Sequence, residues 1–228
     1  FAVQALVQSA TALTHNRDLW TPDSKTQKIL SKEPDAYQTW QVGVDHVVTS
    51  DQVLVWSGTI TPSGLYGSEL PAVRAAGRVP IAADVLAEML IDSTRVHEYI
   101  QMSLGRTDLL VLQDTEDGPF GGRTKIMQSK SQFLRKTLQF TSLLHARRLE
   151  GGSHLIVTRA VQGASAGAVV SEILLGVNVI HPLNDGQCLI VTVNHIRSPM
   201  VPMMIAKRIG LQAAVNFIAD LRNAKVRS

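Results

Sequence analysis

Two apolar runs, residues 173–181 and 187–196, flank Asn184-Asp185-Gly186, and this arrangement constrains the chain more than any other feature. Asp-Gly between alternating apolar runs marks a tight hairpin, because the turn needs a backbone conformation that glycine adopts without penalty. Beyond Pro202 an amphipathic stretch continues to Asn223 and reads as one long helix. A curved sheet closed by a single C-terminal helix encloses an apolar cavity. The pattern points to binding of a hydrophobe before any catalytic motif is sought.

The rest of the chain supplies more strands of the same kind. Phe1, Leu6, Val7 and Leu13 have helical spacing, whereas residues 21–35 are polar, contain Pro22 and Pro34, and read as a loop with a short helical turn. Strands are expected over 40–48, 53–60 and 70–79. Pro80 then opens a helix with Ile81, Val85 and Met89 in one apolar row, Ala82, Leu86 and Leu90 in the next, and Asp84 in its first turn. Residues 95–103 read as a second short helix. Serial hairpins follow, 109–115 with 123–130 and 137–149 with 153–161, turned at glycine-rich segments. Strands joined by tight turns, without strand–helix–strand alternation, predict an antiparallel sheet. The fold class is α+β, one domain over residues 1–228, with about nine strands in the sheet.

Composition excludes several classes. Hydrophobic residues make up 45% and aromatics 5% of the 228 residues, so the apolar content is mostly aliphatic. This suits a cavity for flexible hydrocarbon and an ordinary core equally well. A net charge of +3 and a pI near 9.2 fit an anionic membrane surface and are too weak to argue for nucleic acid. Cys188 is the only cysteine, so no intramolecular disulfide forms, and its place in a strand makes it a small buried hydrophobe. No apolar run approaches the roughly 20 residues that span a bilayer. The chain opens on Phe1 and is expected to be a processed product or fragment, with any targeting segment or further domain outside it.

Order and spacing carry a resemblance. Trp40 followed by Val53-Leu54-Val55-Trp56, then Leu90-Ile91-Asp92-Ser93-Thr94-Arg95, then Asn194-His195-Ile196 with Pro202 opening the last helix, resemble the START family of lipid-transfer domains from about Tyr37 to Leu221. The resemblance implies a helix-grip fold whose tunnel holds one lipid under the C-terminal helix. It implies lining by Lys125, Met127, Phe140, Ser142, Leu144, Thr192 and Asn194 from the strands, and by Met203, Met204, Arg208, Leu211 and Val215 from the helix. The family's Arg-Asp-Phe triplet is Leu138-Gln139-Phe140 here. The acidic and arginine positions of sterol-binding relatives are Lys125 and Leu144. An unpaired buried lysine is costly, so Lys125 either meets a lipid headgroup or faces water. A sterol thereby loses support and an anionic head gains it.

Other constellations have plainer readings. Gly163-Ala164-Ser165-Ala166-Gly167 matches a nucleophile elbow, with Asp185 and His195 following in hydrolase order. The elbow needs a helix after its serine, and too little chain remains for the rest of a hydrolase sheet. A flexible small-residue loop is the expectation. Gly118-Pro119-Phe120-Gly121-Gly122 lacks the Lys-Ser/Thr ending of a phosphate loop, and the seven histidines show no metal-ligand spacing. Lys130, Arg135 and Lys136 surround Phe133 and Leu134, which suits a segment lying on an anionic membrane.

The sequence therefore leads to a non-catalytic domain, without cofactor or metal, that binds and transfers one lipid, a phospholipid or other hydrophobe before a sterol. Its partners are that lipid and an anionic membrane, with no nucleic acid, and further domains or proteins outside the chain. Its place is cytoplasmic or stromal, peripheral at membranes. A scaffold subunit of a larger assembly and a helix-grip enzyme such as a cyclase are the alternatives.

Overall fold

The alternating apolar runs at the end of the chain form two paired strands, Glu172–Pro182 and Cys188–Arg197, with Glu172 opposite Arg197 and Pro182 opposite Cys188. Gly186, in the turn between them, has a φ of 73°, a region that residues with a Cβ avoid. The structure, a computed structural model, describes residues 2–32, 52–60, 70–133, 136–161, 171–183 and 186–224. The strand expected over 40–48 and the elbow around Ser165, with Asp185, lie outside the described residues.

In chain order the elements are α1 (Ala2–His15), β1 (Trp20–Pro22), α2 (Ser24–Lys32), β2 (Val53–Thr59), β3 (Pro71–Val79), α3 (Ala83–Ile91), β4 (Ser103–Gln113), β5 (Arg123–Phe133), β6 (Lys136–Arg148), β7 (His154–Ala160), β8 (Glu172–Pro182), β9 (Cys188–Arg197) and α4 (Met203–Asn223). The strands make one 9-stranded sheet in the order β1-β2-β3-β9-β8-β7-β6-β5-β4, and every neighbouring pair is antiparallel.

Two expectations need correction. Residues 21–32, expected as a loop with a short helical turn, carry part of β1 and all of α2. Asp23 Oδ1 accepts from the Thr26 amide at 2.7 Å, which caps the first turn of α2. The Val55 amide donates to Thr26 Oγ1 at 2.8 Å, so a contact from β2 holds a segment too polar to fold by its own pattern. The second short helix, expected over 95–103, is a 3₁₀ turn over Ser93–Glu98, and β4 begins at Ser103, ahead of the strand expected from 109.

Alternation gives the sheet two apolar faces. The outer face packs Leu54, Trp56, Val157, Val177 and Val193 against Leu6, Val7 and Ala10 of α1. The inner face packs Val55, Val73, Ala75, Ile156, Ile180 and Ile190 against Leu86 and Leu90 of α3 and Ala214, Ile218 and Leu221 of α4. Helix α4 approaches the sheet closely at two glycines. A Cβ at Gly210 would lie 2.9 Å from Val73 Cγ2, and one at Gly77 would lie 2.9 Å from Ile218 Cγ2. Arg222 fastens the far end of α4 by donating to the carbonyls of Arg78 at 2.8 Å and Gln52 at 2.9 Å.

Candidate functional site

Because α4 is held by Gly210, Ala214, Ile218 and Leu221, its first turns run past their support. An open groove of about 390 Å³ lies between these turns and the β1–β2 edge of the sheet. Asp23 and Val55 form one wall; Met204, Lys207, Arg208, Leu211, Gln212 and Val215 form the other. Four helix residues expected to line a tunnel, Met204, Arg208, Leu211 and Val215, thus meet at one groove. Asp23 comes from a segment whose polarity concealed it.

The expectation that Met203 and Met204 face an enclosed cavity is corrected. Met203 is 56% and Met204 97% exposed, and Ile205 beside them is 45% exposed. Three apolar side chains therefore stand in solvent at the start of α4. Lys207 and Arg208 follow within the same turns.

On the sheet, Lys125 pairs with Leu144 and Met127 with Ser142 across β5 and β6. Met127 and Leu144 are fully packed into the inner core, and Ser142 is buried with its hydroxyl unpaired. Phe140 is half-buried. Thr192 and Asn194 lie on β9, separated from the β5–β6 group by β7 and β8. Between the two groups are Thr158 and Asn178, which the sequence reading passed over. The signal for both was a polar residue at an inner-face position of an otherwise apolar strand.

Lys125 is also corrected. Its ammonium donates to the Ile91 carbonyl at 2.7 Å, Ser93 Oγ at 3.2 Å and Asp108 Oδ2 at 2.8 Å. An ammonium has three protons, and all three are engaged. Lys125 therefore neither faces water nor waits for a headgroup. Ser93 Oγ donates to Asp108 Oδ1 and accepts from Arg106 Nε at 3.0 Å. Arg106 also donates to the carbonyls of Leu90 at 2.8 Å and Asp92 at 2.6 Å. Two cations from β4 and β5 thus close the carbonyl end of α3, where the helix dipole favours positive charge. Asp92 Oδ1 accepts from the Thr94 amide at 2.8 Å. The Ile91-Asp92-Ser93-Thr94 segment therefore clips α3 to the sheet.

The basic residues after Lys130 fall where β5 ends and β6 begins. Strand β5 runs to Phe133, β6 starts at Lys136, and these two residues pair, leaving Leu134 and Arg135 outside the described residues. Lys130 is exposed on β5. Cys188 is buried, and burial pushes its thiol up to about 12, which keeps it protonated and unreactive. Among the described residues no group of His, Cys, Asp and Glu is placed to hold a metal ion, and no helix is long and apolar enough to cross a membrane.

A 9-stranded antiparallel sheet gripping a C-terminal helix defines the class as α+β helix-grip. Solved structures agree. Human StAR-related lipid transfer protein 5 superposes with a TM-score of 0.70 at 14% identity, over 98% of this chain and 94% of that one. The human StarD13 (DLC2) lipid transfer and protein localization domain gives 0.62 at 16% identity, over 86% and 95%. Human STARD10 gives 0.61 at 13% identity, over 90% and 82%. No family model matches the sequence, and no curated protein matches it. The chain has the START-like fold.

Proposed function

We propose that this domain binds a single lipid or similar hydrophobe between α4 and the inner face of the sheet, and carries it between membranes without covalent chemistry. The observation that carries this reading is the open groove of about 390 Å³ between α4 and Val55 of β2. That volume is within the range of about 300–1,000 Å³ for small-molecule sites. Each methylene removed from water there contributes about 0.8 kcal/mol. The similarity to human StAR-related lipid transfer protein 5 and to the StarD13 lipid transfer and protein localization domain supports the same reading.

Membrane contact belongs to the proposal. Exposed Met203, Met204 and Ile205 sit beside Lys207 and Arg208 at the groove rim. Apolar residues that insert, next to cations that meet anionic headgroups, suit docking of this rim on a bilayer. Entry then requires only that the first turns of α4 move away from β2.

The test fills the groove. Val215→Trp places a ring between α4 and Val55 while leaving the contacts of Ala214, Ile218 and Leu221 in place. The expected result is a loss of at least tenfold in lipid transfer between liposomes, with little change in thermal midpoint. Undiminished transfer in a folded Val215→Trp protein would refute the assignment of the groove.

A further inference from the structure

Four uncharged polar side chains interrupt the apolar inner face of the sheet on β7, β8 and β9. Thr158 stands opposite Gly176, Gly176 opposite Asn194, and Asn178 opposite Thr192. Their cross-strand neighbours Leu144, Ile156 and Ala75 belong to the cluster covered by α3 and α4, which places all four on the inner face. Directly opposed Cβ atoms are about 5 Å apart, so the four side chains share one patch. Gly176 is its floor, where a Cβ would overlap Thr158 Oγ1. Thr158, Asn178 and Asn194 keep some accessible surface although they lie on strands inside the sheet.

The hydrogen bonding of the patch is incomplete. Asn178 Oδ1 is shut off from solvent and has no partner. A buried acceptor without a donor is costly, and native structures rarely leave one. Asn194 Nδ2 donates to Thr192 Oγ1 at 3.1 Å, which leaves the Thr192 hydroxyl proton to be donated elsewhere. An acceptor and a donor thus stand side by side on adjacent strands.

We propose that this patch seats the hydroxyl group of an uncharged amphipath, which donates to Asn178 Oδ1 and accepts from the Thr192 hydroxyl while its hydrocarbon lies under α4. This rests on the hydrophobe-binding reading above and names the ligand class. A carboxylate has no donor for Asn178, and none of the four side chains is a cation to meet its charge. Lys125, the cation that the resemblance places in the tunnel, has every proton engaged. An ether accepts only and leaves Asn178 bare.

The experiment uses the purified chain loaded with Nile red and three competitors of one chain length: 1-dodecanol, dodecyl methyl ether and dodecanoate. Displacement is read by fluorescence. Dodecanol is expected to compete at about tenfold lower concentration than the ether, the effect of one satisfied buried hydrogen bond. Dodecanoate is expected to be no better than the ether. In Asn178→Leu the gap between alcohol and ether should shrink to within about twofold, with the ether unchanged. Thr192→Val, which removes the donor at nearly constant shape, should narrow the gap as well and serves if the first variant does not fold. Equal competition by alcohol and ether in the parent protein overturns the hydroxyl seat and leaves hydrophobe binding standing. So does an undiminished gap in the folded variants, or dodecanoate competing best. If no competitor displaces the dye, the hydrophobe-binding reading itself fails and the seat falls with it.

Discussion

His145 on β6 lies with Nδ1 2.9 Å from Thr124 Oγ1, while Nε2 is buried without a partner. Burial, with the Arg147 charge nearby, pushes its pKa from 6.5 down to about 4. The folded protein therefore keeps the ring neutral where the unfolded chain takes up a proton. Stability contributed by the neutral ring is full above pH 6.5 and is lost as pH falls toward 4. Between pH 7 and 4.5 the loss from this residue is about 2–3 kcal/mol. Urea titrations at both values check it. His145→Gln keeps a polar partner for Thr124 and should remove this part of the slope, and an unchanged slope would assign it to other groups. The histidine was visible in the sequence as one of seven without metal spacing. Its burial was not, because that depends on which strands flank β6. Lys125 teaches the same lesson: its partners Asp108, Ser93 and Ile91 come from three segments that only the folded chain brings together.

Strand β4 forms one edge of the sheet and exposes Leu109, Leu110, Val111 and Leu112 by 43–53% each. Four consecutive apolar residues on an unpaired edge are a liability for self-association. Three register shifts along its pairing with β5 bend the strand, a device that interrupts a template for further pairing. Leu110→Lys should lower concentration-dependent light scattering while shifting stability by less than about 0.5 kcal/mol, since it removes little buried surface. Scattering that is unchanged would place the sticky surface elsewhere. Most strands were legible from alternation and turns, with ends within a few residues of those found. Segments stabilised mainly from outside were not. The helix over Ser24–Lys32 is polar and depends on β2, and the 3₁₀ turn over Ser93–Glu98 depends on Arg106 and Lys125.

For the whole molecule, the mild positive charge of +3 matters less than where charge and apolar surface coincide. Two stretches of the sequence combine them: Met203 and Met204 with Lys207 and Arg208 at the start of α4, and residues 130–136 with Lys130, Phe133, Leu134, Arg135 and Lys136. Each cation near an anionic bilayer is worth about 1 kcal/mol, decaying over roughly 8 Å at physiological salt. Replacing Lys130, Arg135 and Lys136 with Gln should weaken co-sedimentation with anionic liposomes by more than about tenfold and leave neutral liposomes little affected. High salt should reproduce the effect in the parent protein. Met203→Ser with Met204→Ser should weaken binding to both kinds, because apolar insertion does not read headgroup charge. If the triple Gln variant binds anionic liposomes as the parent does, the hairpin is merely solvated and the rim alone meets the membrane.

Period-two alternation, the Asp-Gly turn and the proline-led final helix are local patterns, and by themselves they determined an antiparallel sheet gripped by a C-terminal helix. Each needs only neighbouring residues to act. The candidate site depended on the tertiary structure. Whether Lys125 is a free cation was settled by the carbonyl end of α3, whether Met204 is enclosed by where α4 lies against the sheet, and which of Thr158, Asn178 and Thr192 face one another by strand register. Register and partner choice are set by contacts between residues far apart in the chain, and alternation along one strand says nothing about the residue opposite on the next.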